Sequence, residues 1–397
     1  MTEAPVSFPF PKAPSIFHPA PELTRLQLTR PVSEVRLPDG KTAWLVTRFD
    51  DVRRVLIDPR FSRAEASKPG VADPGLGQAS AGSILGMDPP EHTRLRRLVA
   101  GAFTARRVEA LRPRVTSLVD ELIDRMQTLP QPVDLVENFS LPLPVQVICE
   151  LLGVPAADRH LFHEWSDSVM GIADAAAADA GQERLWAYFA ELIERKRKEP
   201  ADDLMTALIE ARDNEDRLTE EELVRMGLTL LVAGHETTAN QINLFLLTLH
   251  EYPGQLARLR AKPDIIPEAV EELLRFVQLG EVGTGLVRVA TSEVELDGVR
   301  IPAGAAVIPA MTIANRDPSV IPDANQLDLT RPQGAHLAFG AGVHHCLGAQ
   351  LARMELQEAL SGLLRRLPTL RLDTPIDELS FKQGMFLRSL HALPVRW

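Results

Sequence analysis

The chain has 397 residues, with 54 acidic against 43 basic side chains and a net charge of −11. No domain-scale basic field is available to displace counterions from phosphates, which disfavours nucleic-acid binding. Two cysteines cannot form a disulfide framework, which fits a reducing cytoplasm. No run of about 18 apolar residues suggests a membrane span. The nearest approach, Leu228 to Leu249, is interrupted by His235, Glu236, Asn240, Gln241 and Asn243. The proline-rich start lacks the basic and apolar regions of a signal peptide. Length alone would allow two or three domains. No linker or repeat divides the chain, so one soluble domain over residues 1–397 is expected.

In chain order, Val32 to Thr47 alternates apolar and polar residues about a Pro-Asp-Gly turn and predicts a β-hairpin. Asp50 to Ile57 predicts a short helix stopped by Asp58-Pro59. Residues 62–84 are polar, glycine-containing and aperiodic, the pattern of a long surface loop. Pro89 and Pro90 then open a helix, where proline is tolerated. His92 and Arg96 fall four apart on one face of it. Charge pattern alone reads that face as a solvated basic surface, extended by Arg97, Arg106 and Arg107. Residues 108–126 and 143–152 predict amphipathic helices, with Cys149 a core residue in an apolar run. Residues 158–198 predict two helices separated by the alanine-rich stretch Met170 to Gln182.

A long helix follows, from about Leu218 to Tyr252. Thr219 and Glu222 have the N-cap and N3 spacing of a capping box. Its centre, LLVAGHETTANQ, puts a glycine, a histidine, an acid and two threonines inside a helix. Such violations of local preference are expected at functional sites. The structural alternative is a kink in which threonine bonds back to the preceding turn. A zinc protease is excluded, because Ala239 stands where HExxH requires its second histidine. Glu272 and Arg275 form an i,i+3 pair, a weak signal alone. Arg288 to Met311 reads as short strands broken by glycine turns, and further short strands follow Leu367.

The run Phe339 to Gly348, FGAGVHHCLG, is the most informative. Gly340 and Gly342 permit tight turning and close approach to a flat ligand. Leu347, Leu351, Met354 and Leu360 have near-helical spacing, which places Cys346 at a helix N-terminus. Unpaired amides and the helix dipole there favour thiolate, and such a thiolate suits the axial position of haem iron. A zinc reading of His344, His345 and Cys346 fails, because no spaced second pair of ligands follows. A lone cysteine is otherwise most simply a buried structural residue. The chain has no GxGxxG and no cysteine set for an iron–sulfur cluster, so electrons would come from separate proteins.

Phe339, Gly340, Gly342, His344, Cys346 and Gly348 fill every fixed position of FGxGxHxCxG, and this run resembles the haem-binding signature of the cytochrome P-450 family. Landmarks occur in that family's order from the first hairpin to the C-terminus, ANRDP (Ala314 to Pro318) among them. The resemblance implies a mainly α fold with small β-sheets around a buried haem b. It implies Cys346 as the iron ligand and His92, Arg96, Arg288 and His344 as propionate contacts. Phe339, Gly340, Gly348 and Ala233 would border the haem. AGHETT is similar to the family's oxygen-activating AGx(D/E)T: Gly234 would leave room for dioxygen, Thr237 would hydrogen-bond the oxygen under activation, and Glu236 would relay protons. Glu272, Arg275 and Arg331 would form a buried structural ion-pair network. The substrate pocket would draw on residues 62–84, 165–182 and 278–287 and on the tip at Met385 to Leu387.

The implied activity is insertion of one atom of dioxygen into an apolar small molecule of macrolide, polyene, sterol or xenobiotic type. The implied donors are a ferredoxin and its NAD(P)H-dependent reductase, and Arg97, Arg106 and Arg107 would suit an acidic donor. A cytoplasmic monomer without membrane or nucleic-acid partners is expected. A peroxide-driven peroxygenase is an alternative that the acid–alcohol pair Glu236 and Thr237 argues against. A non-catalytic recruitment protein of the same fold is another, which Thr237 argues against.

Overall fold

The computed structural model describes residues 5–11, 13, 15–74, 81–171, 174–213, 217–280, 285–332 and 334–397. Its α-helices are α1 (Pro21–Thr29), α2 (Phe49–Ile57), α3 (Arg63–Ala66), α4 (Glu91–Ala100), α5 (Ala105–Gln127), α6 (Pro142–Leu152), α7 (Phe162–Val169), α8 (Ala175–Lys198), α9 (Leu204–Asp213), α10 (Glu220–Glu251), α11 (Pro253–Ala261), α12 (Ile266–Phe276), α13 (Met311–Ala314) and α14 (Ala349–Arg366). Its strands are β1 (Val6–Ser7), β2 (Val32–Arg36), β3 (Thr42–Val46), β4 (Phe61–Ser62), β5 (Val133–Asp134), β6 (Arg288–Ala290), β7 (Val294–Leu296), β8 (Val299–Ile301), β9 (Ala306–Pro309), β10 (Arg371–Leu372) and β11 (Pro394–Arg396). The fold is therefore mainly α with small β-sheets. Two compact units divide it: residues up to Thr93 with Glu271–Cys346, and Arg94–Val270 with Leu347–Trp397.

The first unit is organised by a six-stranded sheet of order β1-β2-β3-β9-β6-β4. The hairpin expected at Val32 to Thr47 is β2 and β3, paired Val32 to Val46 and Arg36 to Thr42. Its second strand runs parallel to β9, with Trp44 opposite Val307. Successive side chains of a strand point to opposite faces. Leu45 and Ile308 accordingly join one apolar cluster with Val35, Phe8 and Phe10. Val46 and Val307 join another with Phe49, Val52, Val55 and Leu56 of α2. Every residue of β9 is buried, as a strand covered on both faces requires.

Within the expected loop, the described residues 62–66 form regular structure. Ser62 ends β4 and caps α3, its hydroxyl accepting the Glu65 amide at 2.9 Å. Of the three segments expected to line the pocket, residues 75–80, 172–173 and 281–284 lie outside the described residues.

The second unit is helical, with a three-stranded sheet of order β10-β11-β5. Its longest element, α10, runs unbroken for 32 residues, about 48 Å at 1.5 Å per residue. It begins with a complete capping box: Thr219 Oγ1 accepts the Glu222 amide at 3.1 Å, and Glu222 Oε2 accepts the Thr219 amide at 2.8 Å. The alanine-rich stretch after Met170 does not separate two helices along its length. Alanine is the strongest helix former, and α8 already begins at Ala175 behind Asp174, whose Oδ1 accepts the Ala177 amide at 3.0 Å. Among the described residues no helix is long and apolar enough to cross a membrane.

Candidate active site

The cysteine loop hangs from a series of hydrogen bonds that starts at a buried ion pair. On α12, Arg275 grips Glu272 with two parallel bonds, Nε to Oε2 at 2.7 Å and Nη2 to Oε1 at 2.8 Å. Both side chains are buried, so the pair is stable only if its remaining donors and acceptors are also matched. Arg275 Nη1 donates to the carbonyls of Asn315 and Ala324 at 2.9 and 2.8 Å. Arg331 Nε reaches Glu272 Oε1 at 3.2 Å, and its other nitrogens donate to the carbonyls of Pro322, Asp323 and Gln326. This network ties the segment 315–331 to α12. Asn315 Oδ1 then accepts the Leu337 amide at 2.6 Å. The Leu337 carbonyl accepts Gly340 N–H at 2.9 Å, and the Phe339 carbonyl accepts Cys346 N–H at 2.8 Å.

Within the loop, Gly342 has φ +72°, and a Cβ there would lie 2.7 Å from the Leu56 carbonyl oxygen of α2. Only glycine meets both demands. Cys346 is exposed, whereas Cys149 is buried. Burial pushes the Cys149 thiol up to about 12, so it stays protonated and inert at neutral pH. The helix after the loop starts at Ala349 with Gly348 as its N-cap. Cys346 thus sits two residues ahead of the cap, a little upstream of the position that apolar spacing implies.

The same unit carries a group of basic side chains. His92 near the start of α4 stacks obliquely on His344, ring centroids 4.3 Å apart. Pro89 and Pro90 occupy the turn before α4, and the His92 amide donates to the Asp88 carbonyl at 3.0 Å. Arg288, which opens β6, is buried, and its Nε has no hydrogen-bond partner. Burial, reinforced by the charge of Arg63, pushes its guanidinium down to about 9. Arg63 is the residue that sequence reasoning missed. It is 1% exposed, at the start of α3. The signal available was Ser62 three residues before Glu65, a capping pattern inside an apparent loop.

In the second unit, α10 carries the distal motif. The helix is buried over most of its surface, yet Thr229, Ala233, Gly234 and Thr237 stay accessible. Their spacing i, i+4, i+5 and i+8 makes one stripe. Thr237 Oγ1 donates to the Ala233 carbonyl at 2.9 Å, the back-bond expected of an intrahelical threonine, without breaking the helix. Glu236 is buried, with Oε1 3.2 Å from His235 Nε2. The His235 ring is positioned by its Nδ1, 2.7 Å from the Leu231 carbonyl oxygen. A Cβ on Gly234 would lie 2.8 Å from Ile148 of α6, so close packing of α6 on α10 is itself a reason for glycine there. Arg96 on α4 is half-buried, and Arg97, Arg106 and Arg107 are exposed.

A family model described as Cytochrome P450 matches residues 178–390. The Mycinamicin IV hydroxylase/epoxidase of Micromonospora griseorubida is 50% identical over 377 residues, 94% of each chain. The chain belongs to the cytochrome P450 family. The Nocardicin C N-oxygenase of Nocardia uniformis subsp. tsuyamanensis is 48% identical to this P450 over 383 residues, 95% of each chain. The crystal structure of the LnmA cytochrome P450 hydroxylase, from the leinamycin biosynthetic pathway of Streptomyces atroolivaceus S-140, matches with a TM-score of 0.91 at 44% identity. That match covers 99% of this chain and 100% of the other. The protein is a P450 monooxygenase with the P450 fold, and haem is inherent to that family. The residues of the first unit fit the group: an accessible thiol at Cys346 and the buried arginines Arg63 and Arg288, each with an unpartnered nitrogen.

Proposed function

We propose that this P450 hydroxylates an apolar small molecule of macrolide, polyene, sterol or xenobiotic type, using haem b and electrons from a ferredoxin and its NAD(P)H-dependent reductase. The observation that carries the reading is Cys346, an exposed thiol on a loop pinned through Asn315 to the buried Glu272–Arg275 pair. The relative named for mycinamicin IV hydroxylation supports the macrolide class among the substrates. Bound haem supplies the oxygen-activating chemistry, in which one atom of dioxygen enters the substrate and the other leaves as water.

The chain's own groups then divide the work. With haem bound, Cys346 would hold the iron through its sulfur and supply electron density to it. His92, Arg96, Arg288 and His344 bind the propionates, as charge-assisted bonds to carboxylate favour. Phe339, Gly340, Gly348 and Ala233 would border the ring. Thr237, on the accessible stripe of α10, donates its hydroxyl to the Ala233 carbonyl, and with haem bound that hydroxyl would hold a proton for the oxygen under activation. Gly234 keeps that stretch of helix free of bulk. Glu236 passes protons to Thr237 as a general acid. Exposed Arg97, Arg106 and Arg107 suit an acidic ferredoxin. We read residues 1–397 as one haem-thiolate domain, monomeric and cytoplasmic.

The test is turnover of a substrate found by spin-state shift, with ferredoxin and reductase. Thr237→Ala should keep consuming NAD(P)H while product per electron pair falls several-fold and hydrogen peroxide appears instead. Unchanged coupling in the variant would remove Thr237 from proton delivery. Wild-type turnover on hydrogen peroxide alone at the ferredoxin-driven rate would replace the monooxygenase cycle by a peroxygenase.

A further inference from the structure

Arg63 has an environment that structural duty alone does not explain. Strand β4 pairs antiparallel with β6, Ser62 opposite Val289, so the next step of the register brings Arg63 across from Arg288. The Arg63 side chain uses two of its nitrogens to fasten backbone. Nε donates to the Leu85 carbonyl at 2.9 Å, and Nη1 donates to the Val287 carbonyl. Nη2 is buried and has no partner. Arg288 Nε, in the facing strand, is likewise buried and without a partner. Two guanidinium groups held side by side inside a protein repel each other, and their unmet donors carry a desolvation cost.

The neighbouring acids do not complete the set. Asp88 spends its carboxylate on the Ser62 hydroxyl and the amides of Arg63 and Ala64. Asp73 and Asp88 offset the Arg63 charge at a distance, but neither supplies the bond that Nη2 lacks. The backbone route from Asp88 leads directly to His92, whose amide donates to the Asp88 carbonyl and whose ring lies against His344. Arg63 therefore faces Arg288 across the β4–β6 edge with a donor left over, and Asp88, which accepts the Arg63 amide, also accepts the amide of His92.

We propose that Arg63 is a further carboxylate-binding residue of the haem site, whose Nη2 completes a two-arginine clamp with Arg288 on one propionate. The proposal rests on the haem reading above. It assigns Arg63 a double part: its Nε and Nη1 fix the β4–β6 edge, and its remaining arm meets the anion. A planar guanidinium can do both at once, whereas lysine can meet only one. The proximity of Arg63 to Arg288 then becomes favourable, since a shared carboxylate turns mutual repulsion into joint attraction.

The experiment compares holoenzyme of wild type, Arg63→Lys and Arg63→Gln. It measures the rate of haem transfer to excess apomyoglobin and the midpoint potential of the haem. Arg63→Gln should lose haem about tenfold faster, the factor of one charge-assisted bond. Its potential should move to more negative values, because removing a positive charge beside the haem favours the ferric state. Arg63→Lys keeps the charge, so its potential should stay near wild type even if haem loss quickens. Equal behaviour of both variants, with unchanged potentials, would reduce Arg63 to a backbone clamp and overturn the proposal. If Arg63→Gln does not yield folded protein, Arg63→Lys decides by its haem loss, because lysine cannot both fasten the backbone and reach the carboxylate: loss several-fold faster than wild type supports the clamp, and loss at the wild-type rate overturns it. Wild-type protein that takes up no haem at all would instead sink the haem reading itself.

Discussion

Replacing Arg275 with alanine should uncouple the cysteine loop from the body of its unit. The deletion leaves Glu272, 5% exposed, as a buried carboxylate. Breaking one side of such a pair costs about 3–5 kcal/mol. Two carbonyls, those of Asn315 and Ala324, also lose the Nη1 donor, adding about 1 kcal/mol each. The total, about 5–7 kcal/mol, rivals the whole stability of a typical domain, about 5–15 kcal/mol. The loss falls where it matters, because Asn315 holds Leu337 and so the turn that leads to Cys346. Arg331→Ala is the control. Its side chain is 17% exposed and makes a single 3.2 Å contact with Glu272; its three bonds to the carbonyls of Pro322, Asp323 and Gln326 lie at exposed positions where water can replace them, so the loss should be smaller, about 1–3 kcal/mol. The assay is the ratio of haem to protein absorbance after purification, followed by urea unfolding. Arg275→Ala should retain little haem and Arg331→Ala most of it. Full haem content in Arg275→Ala, with an unfolding midpoint equal to that of Arg331→Ala, would refute the hydrogen-bond relay.

Gly342→Ala must place a Cβ at φ +72° and 2.7 Å from the Leu56 carbonyl oxygen, so its thermal midpoint should fall by several degrees, at about 1–2 kcal/mol for the backbone alone. Gly254→Ala, within α11 and with nothing within 4 Å of the new carbon, should melt no lower than wild type; equal losses in both would deny a special role for the loop geometry. Glu355 on α14 is buried, its Oε2 lacks a partner, and burial raises its carboxyl well above the ordinary 4.5. A raised folded value means that its contribution is intact below 4.5 and is lost as pH rises toward the folded value, by about 1.4 kcal/mol per pH unit. Glu355→Gln removes that dependence, so the variant should gain on wild type in denaturant stability between pH 5 and pH 8, and a constant difference would contradict the assignment.

What could be seen in sequence were features whose cause is local. The capping box of α10 lies within four residues, Thr219 to Glu222, and the β2–β3 hairpin closes through its own turn. Cys346 stands out because glycines and His344 surround it within one decapeptide. What stayed hidden depends on partners far along the chain. β3 lies beside β9 because Trp44 meets Val307, and no periodicity announces that pairing. Arg63 looks like a solvated loop arginine until β4 is set against β6, whose residues follow more than 220 positions later. Ala175 and its neighbours lack the bulk that marks an amphipathic face, so their strong helix propensity is easy to overlook beside the apolar rhythm of α10. Glu355 is masked in the opposite way: an acid between Met354 and Leu356 reads as the polar side of a helix, yet it is 1% exposed.

The account turns on Cys346 as the thiolate ligand of a haem, and the reduced, carbon monoxide-bound absorption spectrum of freshly purified protein tests it most directly. The account predicts the strongly red-shifted Soret band of haem-thiolate proteins in wild type and its loss in Cys346→Ala, with Cys149→Ala unchanged. A wild-type band at the position of histidine-ligated haem in fresh protein, or a red-shifted band that survives Cys346→Ala, would contradict it.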